Sequence, residues 1–396
     1  MLRFLTAGES HGPSLSVIVE GLPAGLAISD EDMSQELARR RLGFGRGPRM
    51  RFERDVVRLI GGVRHGRTLG SPVSVEILNS EWPKWEQEMS ANPGTPSKKL
   101  TAPRPGHADL AGMQKYGFDD ARDVLERASA RETAARVVAG HLAKALLATI
   151  GINVVSHVVR IGSVAAPVGL RPVPEDLGRV DDSEVRCFDP ETEAAMITEI
   201  KAAAKDGDSL GGIVEVIAYG VPVGLGSYVH WDRKLDGLLA GALMSIQAVK
   251  AVEIGDGMIQ ASQRGSVAHD AIARDDAFEL GGGYVRRSDH AGGLEGGVSS
   301  GAPVIAKVAM KPLATLNRPV LETVDIATGE STISFKERTD VTAVPALGVV
   351  SESMMAIVLA GEALRKFGGD SVDEFVRNYE GYVAHLGAIV SAARPD

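Results

Sequence analysis

Short β-branched apolar runs and longer, helically spaced apolar positions share this chain, and the runs arrive in blocks. Leu15–Glu20, Val56–Ile60, Val73–Ile77, Val154–Ile161, Gly211–Val221 and Val304–Met310 predict strands. Met33, Leu37 and Arg40 follow the acidic box Ser29-Asp30-Glu31-Asp32 and predict a helix stopped by Gly43. A second such box, Ser129-Ala130-Arg131-Glu132, opens onto Ala134, Val137, Val138, His141, Leu142 and Leu146, with Gly151 as the stop. Further helices are predicted over Glu191–Lys205, over the alanine-rich Leu235–Ser245, over Met354–Phe367 before Gly368-Gly369, and over Val372–Leu386. Strands grouped in runs, rather than alternating strictly with helices, favour an α+β sandwich over a doubly wound sheet. Two stretches lack either period. Residues 79–103, with Trp82, Pro83, Trp85, Pro93 and Pro96, predict a long connection. Residues 163–190, rich in Pro, Gly and Asp, predict a surface excursion.

Composition narrows the function classes. A formal net charge of −9 and an aromatic share of 5% disfavour a nucleic-acid-binding protein, since backbone attraction and base stacking both lack support. The single cysteine, Cys187, excludes an internal disulfide and any metal centre built from several cysteines. No run of about eighteen uncharged apolar residues marks a membrane helix, and the start MLRFLTAGESHG lacks the apolar core of a signal peptide. The expectation is a soluble, cytoplasmic protein without membrane partners. At 396 residues, length alone allows one large domain or two average ones.

Candidate chemistry sits in a few loops. Gly8-Glu9-Ser10-His11-Gly12 and Arg104-Pro105-Gly106-His107-Ala108-Asp109 each set one histidine where the backbone can turn tightly toward a ligand. Arg39, Arg40, Arg41, Arg46, Arg49, Arg51 and Arg54 crowd the segment between them, interleaved with Gly43, Gly45 and Gly47. Guanidinium forks on a glycine-rich chain suit carboxylates and phosphates, and an RNA-binding module on the same arginines is the rival reading. Gly43-Phe44-Gly45-Arg46-Gly47 is not a dinucleotide fingerprint, because it follows a helix and its third glycine comes too early. No Walker A lysine motif and no zinc-hydrolase His/Glu signature occur, so no metal site is expected. Arg127-Ala128-Ser129 leads into a helix amino terminus, which suits a phosphate or an electron-rich ring edge. The glycine-rich residues 291–301, Lys311-Pro312-Leu313-Ala314-Thr315 and Arg338-Thr339-Asp340 add further ligand-facing candidates. Proton donors beside fixed positive charge point to chemistry on an anionic small molecule.

From Arg3 to about Gly369 these segments, taken in order, resemble the chorismate synthase family in its bacterial form. They are GESHG, RRRLGFGRGPRM, RPGHADLAGMQKYGFDDARDVLERASARETAARV, GDSLGG, IQAVKAVEIGDG, DHAGGLEGGVSSGAP, AMKPLAT and ERTDVTAVPA. The resemblance implies a carbon–oxygen lyase of the shikimate pathway. Such an enzyme makes chorismate from 5-enolpyruvylshikimate 3-phosphate by anti-1,4-elimination of phosphate, with reduced FMN and no net redox change. It further implies a single domain over residues 1–396, a β-α-β sandwich with two antiparallel sheets in the core and helices outside, and a homotetramer. An external flavin reductase would supply the reduced cofactor, with NADPH as an indirect reductant. By similarity His11 protonates the departing phosphate, His107 supports the charge of the reduced flavin, and Asp340 helps to take a proton from it. Substrate would be held by Arg40, Arg46, Arg49, Arg104, Arg131 and Arg338; Arg40 and Arg46 also match family positions assigned to NADP, and the substrate is the preferred reading. FMN would be held by Arg127, Ala128, Ser129, Gln247, Ala248, Gly296, Lys311, Pro312, Leu313, Ala314, Thr315 and Arg338. Ala314 stands where many relatives carry serine, and Leu313 where isoleucine or threonine is common. A flavin reductase that oxidises NAD(P)H in true redox turnover is the rival within enzymes.

Overall fold

The computed structural model describes residues 2–46, 55–318, 320–334 and 340–392, with side chains to 386. Two antiparallel sheets enclose a layer of helices. The first contains β1 (Arg3–Ala7), β2 (Ser14–Glu20), β3 (Val56–Gly61) and β4 (Val73–Leu78), in the order β1-β2-β4-β3. Its period-two pattern buries Leu15, Val17 and Val19 of β2 and Val73, Val75 and Ile77 of β4 on one face. The second sheet contains β5 (Asn153–Ile161), β6 (Val164–Ala165), β7 (Gly212–Tyr219), β8 (Val249–Ile254) and β9 (Val304–Met310), in the order β8-β9-β7-β5-β6. β7 reads as an almost unbroken apolar run because both of its faces are covered. On the side away from the main core, Val155, Ile217 and Ile305 pack against Leu177 and Tyr219.

Helices α1 (Asp30–Arg41), α2 (Asp109–Tyr116), α3 (Arg122–Ala128), α4 (Thr133–Ala148), α5 (Pro190–Asp206), α6 (Leu235–Met244), α7 (Val344–Phe367) and α8 (Val372–Ala392) complete the frame. α4 packs on β2 and on α7, and α7 packs on β5 and β7. The β-α-β sandwich of two antiparallel sheets agrees with the expected α+β class; only the expected placing of helices outside the sheets differs. Helices lie between the sheets rather than outside them, because α4 and α7 are too apolar to face water on any broad side. Their crossing is very close: a Cβ added at Gly140 would fall 2.2 Å from that of Ser353. α7 is long and apolar enough to cross a membrane, yet 83% of its most apolar window is buried inside the fold.

Other differences are local. β1 carries no strong strand signal and was not expected; it pairs along Arg3↔Glu20 to Ala7↔Ser16 at a sheet edge. α7 begins ten residues before the expected Met354. The expected helix start at Ser129 is a single 3₁₀ turn, Ala130–Glu132, in which the Ser129 hydroxyl accepts from Arg131 N–H at 3.2 Å. Residues 163–190 are only partly a surface excursion, since Val180, Val185, Arg186, Cys187 and Phe188 are buried. One hydrophobic core extends from Leu15 to Phe375.

Candidate active site

A cavity of about 330 Å³ opens where the β1–β2 loop, the ends of α1 and β9, and the start of α7 converge. His11 enters it from a turn that needs glycine. Gly8 has φ +102°, and a Cβ there would lie 2.4 Å from the Ser14 carbonyl oxygen. The His11 ring Nδ1 lies 2.9 Å from Glu126 Oε2, and its backbone N–H donates to the same oxygen at 2.9 Å. Burial alone would raise the Glu126 carboxyl, but hydrogen bonds from His11 and the charge of Arg122 hold it below the ordinary value. The Trp85 ring packs on the imidazole with centroids 4.1 Å apart.

His107 is anchored in a similar way. Its Nδ1 lies 2.5 Å from Asp109 Oδ1 and 3.1 Å from Arg104 Nη2, and the second Asp109 oxygen accepts from Arg104 Nε at 2.9 Å and Arg104 N–H at 3.1 Å. Asp109 is fully buried, which alone would raise its carboxyl; the bonds from His107 and Arg104 hold it far below the usual carboxylate range. Arg104 Nη1 reaches Thr315 Oγ1 at 3.1 Å, and the Lys311 ammonium meets the Gly106 carbonyl. These contacts clip the histidine loop to the segment that follows β9.

Among the described residues four arginines line the cavity, Arg40, Arg46, Arg104 and Arg131. Each has a carboxylate in contact. Asp55 takes Arg131 at 2.6 Å and Arg40 at 3.4 Å, and Arg46 Nε pairs with Asp340 Oδ2 at 2.8 Å. Burial would raise Asp55, and the two guanidinium groups override it and lower it. Among the described residues the cavity wall carries four guanidinium groups and one carboxylate, Asp340, while Asp55, Asp109 and Glu126 stand behind it, so the wall itself suits an anion.

Most of the expected ligand residues meet here. His11, His107, Asp340, Ser129, Gln247, Leu313, Ala314 and Thr315 line the same space as the arginines. Arg127, Ala128, Ala248, Gly296, Lys311 and Pro312 are not on its wall. Arg127 turns to Thr6 and Gly8 carbonyls at 2.9 and 3.1 Å, and Gly296 lies in a hairpin beside Tyr228. Arg49 and Arg338 lie outside the described residues. Among the described residues no group of three or more His, Cys, Asp and Glu side chains is placed to hold a metal.

The wall also fits a flavin. Gln247 Nε2 donates to Glu132 Oε2 at 3.0 Å, which turns Oε1 the other way, buried and without a hydrogen-bond donor. A buried acceptor on a cavity wall suits a ring N–H, and Leu125, Ile246, Met310 and Leu347 supply apolar surface for a planar heterocycle. Ala314 has no hydroxyl to offer, so contacts at that position come from the backbone.

The sequence marks neither Asp55 nor Glu126 as a site residue, and it marks Glu132 and Asp109 only as members of the Ser129 box and the His107 loop. Asp109 had a signal, its place in the His107 loop. Glu126 and Glu132 flank the Arg127-Ala128-Ser129 segment, but nothing local says that their side chains turn to His11 and Gln247; Asp55 has no such neighbour.

The sequence model for chorismate synthase matches residues 2–364. The chorismate synthases of Parafrankia sp. (strain EAN1pec) and Thermobifida fusca (strain YX) are 60% and 57% identical to the chain. Each match covers 98% of this chain and 99% of the relative. A crystal structure of chorismate synthase superposes with a TM-score of 0.78 at 40% identity, covering 98% of both chains. On sequence and fold alike, this chain belongs to the chorismate synthase family.

Proposed function

We propose that the cavity binds 5-enolpyruvylshikimate 3-phosphate and removes its phosphate and a ring hydrogen to give chorismate, with reduced FMN held beside the substrate. The family assignment makes the chain a carbon–oxygen lyase of the shikimate pathway that acts on a small molecule and uses a flavin. The observation that carries the finer reading is the meeting of His11, His107 and four arginines in one cavity. Two carboxylates and a phosphate on one substrate call for several guanidinium groups in one place. Arg40, Arg46, Arg104 and Arg131 bind these anions, and Arg49 and Arg338 complete the set. Arg40 is buried against Asp55, which favours a deep substrate over an NADP phosphate at the surface.

With Nδ1–H given to Glu126, His11 passes its proton from Nε2 to the departing phosphate, a general-acid task. His107, fixed through Asp109, holds a proton at Nε2 against the flavin side of the cavity. Asp340, steered by Arg46, accepts a proton at its carboxylate. Ser129, Gln247 and the backbone of Leu313, Ala314 and Thr315 hold the flavin; for Arg127, Ala128, Ala248, Gly296, Lys311, Pro312 and Arg338 a part in holding it rests on the family resemblance alone. Reduced flavin, when bound, supplies reversible electron and hydrogen transfer that no side chain can provide. The same reading makes the chain a single domain, supported by its continuous core. It also makes the protein a cytoplasmic homotetramer served by an external flavin reductase, with NADPH as the distant reductant. Leu5, Ile18, Val56 and Ile60, exposed on the outer side of the first sheet, support self-association.

Anaerobic incubation with dithionite-reduced FMN and the enolpyruvyl phosphate should release phosphate and develop chorismate absorbance. No phosphate release would end the proposal. NADPH with oxidised FMN in place of dithionite should give none; steady NADPH oxidation without substrate would favour the reductase reading.

A further inference from the structure

We propose that Glu126 is the positioning residue for His11: it fixes the imidazole with Nδ1 as donor and stabilises the positive charge that the ring carries before it gives up its proton. The inference rests on the reading of His11 as the acid. Glu126 belongs to α3, a helix of seven residues, and its side chain is 2% exposed. Both of its oxygens are committed. Oε2 accepts from the His11 backbone N–H and from Nδ1, each at 2.9 Å, and Oε1 accepts from Arg122 Nη1 at 3.0 Å. Its backbone carbonyl takes the Ser10 N–H at 2.9 Å, so one residue holds two consecutive positions of the histidine loop.

An ionised carboxylate only accepts hydrogen bonds. Nδ1 must therefore carry a hydrogen, and proton exchange with a ligand is confined to Nε2. The second clamp comes from residues 79–103. The Trp85 indole packs on the imidazole at 4.1 Å with a 39° tilt, and the Arg122 guanidinium lies over the same indole at 5.0 Å. Rotating the ring would break the Glu126 bonds and the Trp85 contact together. Charge has the same logic. Among the described residues, Arg40, Arg46, Arg104, Arg131, His107 and Asp340 share the cavity wall with the ring; on the α3 side stand Glu126 and Arg122, with Glu88 beyond Arg122 at 3.8 Å. The cavity cations oppose a charged imidazole, and the Glu126 carboxylate in direct contact offsets them. A carboxylate that merely anchored the loop would not need to touch the ring.

Two measurements on the full-length protein test this role. The first is ¹⁵N NMR of ligand-free, histidine-labelled protein. The second is anaerobic steady-state kinetics of Glu126→Gln and Glu126→Asp with reduced FMN. Wild-type His11 should show the Nδ1–H tautomer when neutral. In Glu126→Gln its titration midpoint should fall by about one pH unit or more. The same variant should lose on the order of tenfold or more in kcat, its alkaline limb should move to lower pH, and substrate KM should change little. Glu126→Asp, which keeps the charge, should recover part of the loss. A wild-type His11 in the Nε2–H tautomer, or a Glu126→Gln protein with unaltered titration and turnover, overturns the inference. Should Glu126→Gln not fold, the wild-type tautomer alone still supports or overturns it. Normal turnover by His11→Ala would instead remove the acid role itself, and the tautomer and titration data would still measure the hold of Glu126 on the ring.

Discussion

Arg131 serves two partners at once. Its Nη1 donates to buried Asp55 at 2.6 Å, and the side chain also forms part of the cavity wall. Arg131→Ala should raise the substrate dissociation constant by roughly tenfold or more, since a charged pair in a closed site is worth a few kcal/mol. Calorimetry with the flavin-loaded protein would check it, and unaltered affinity would confine Arg131 to holding Asp55. His11→Ala should behave differently, abolishing turnover while substrate and FMN still bind; near-normal turnover would take His11 out of the chemistry. His11 was legible in the sequence because glycines marked its loop, whereas Arg131 entered through the family resemblance alone. Their supports were not legible. Glu126 reaches His11 across 115 positions and Glu132 reaches Thr6 across 126. Burial that depends on such distant segments leaves no periodic trace.

At the scale of elements, strands with one wet face announced themselves, as Leu15, Val17 and Val19 show. Elements buried on all sides did not. The first ten residues of α7 are almost wholly buried, so no amphipathic period marks them, and its central position went unread for the same reason. The charged residue in this buried stretch is Glu352. It accepts from Arg39 of α1 at 2.8 Å, Lys144 of α4 at 2.7 Å, Arg186 at 3.0 Å and Ser156 of β5 at 2.7 Å. Burial alone would raise this carboxyl, and the three cations drive it well below the carboxylate range. Glu352→Ala would leave those cations to Glu36 and Asp181, so it should lower stability by about 3–5 kcal/mol. A denaturant midpoint close to wild type would show that the cluster is solvated and dispensable. Because Arg39 precedes Arg40, loosening this knot should also disturb the cavity, and substrate affinity should fall with stability.

Across the whole molecule the depressed carboxylates act together with one histidine. Burial lowers His141 from its ordinary 6.5, while Asp55, Asp109, Glu126 and Glu352 lie below their ordinary 3.8 or 4.5. In each case the folded state binds its proton less readily than the unfolded chain, so acidification favours unfolding. His290, part-exposed beside Asp256, is raised instead, so its opposing contribution builds up as pH falls toward 6.5 and is constant below it, and solvent screens that pair. Stability should therefore be flat above pH 7 and decline gently as pH falls through 6.5. It should then fall steeply below about 4.5, where each proton taken up only on unfolding contributes about 1.4 kcal/mol per pH unit. Urea midpoints between pH 8 and 3 would trace this curve. His141→Gln should remove the gentle step and leave the steep one. If stability instead rose from pH 7 to 5, protonation of His141 would not be resisted by the fold. Asp55, Asp109 and Glu126 also hold the cavity arginines and both histidines, so acid should disorder the site through the groups that hold the fold together. Substrate affinity is then expected to collapse in the same steep interval as the urea midpoint, and a site that survived below it would have to be held by something other than these carboxylates.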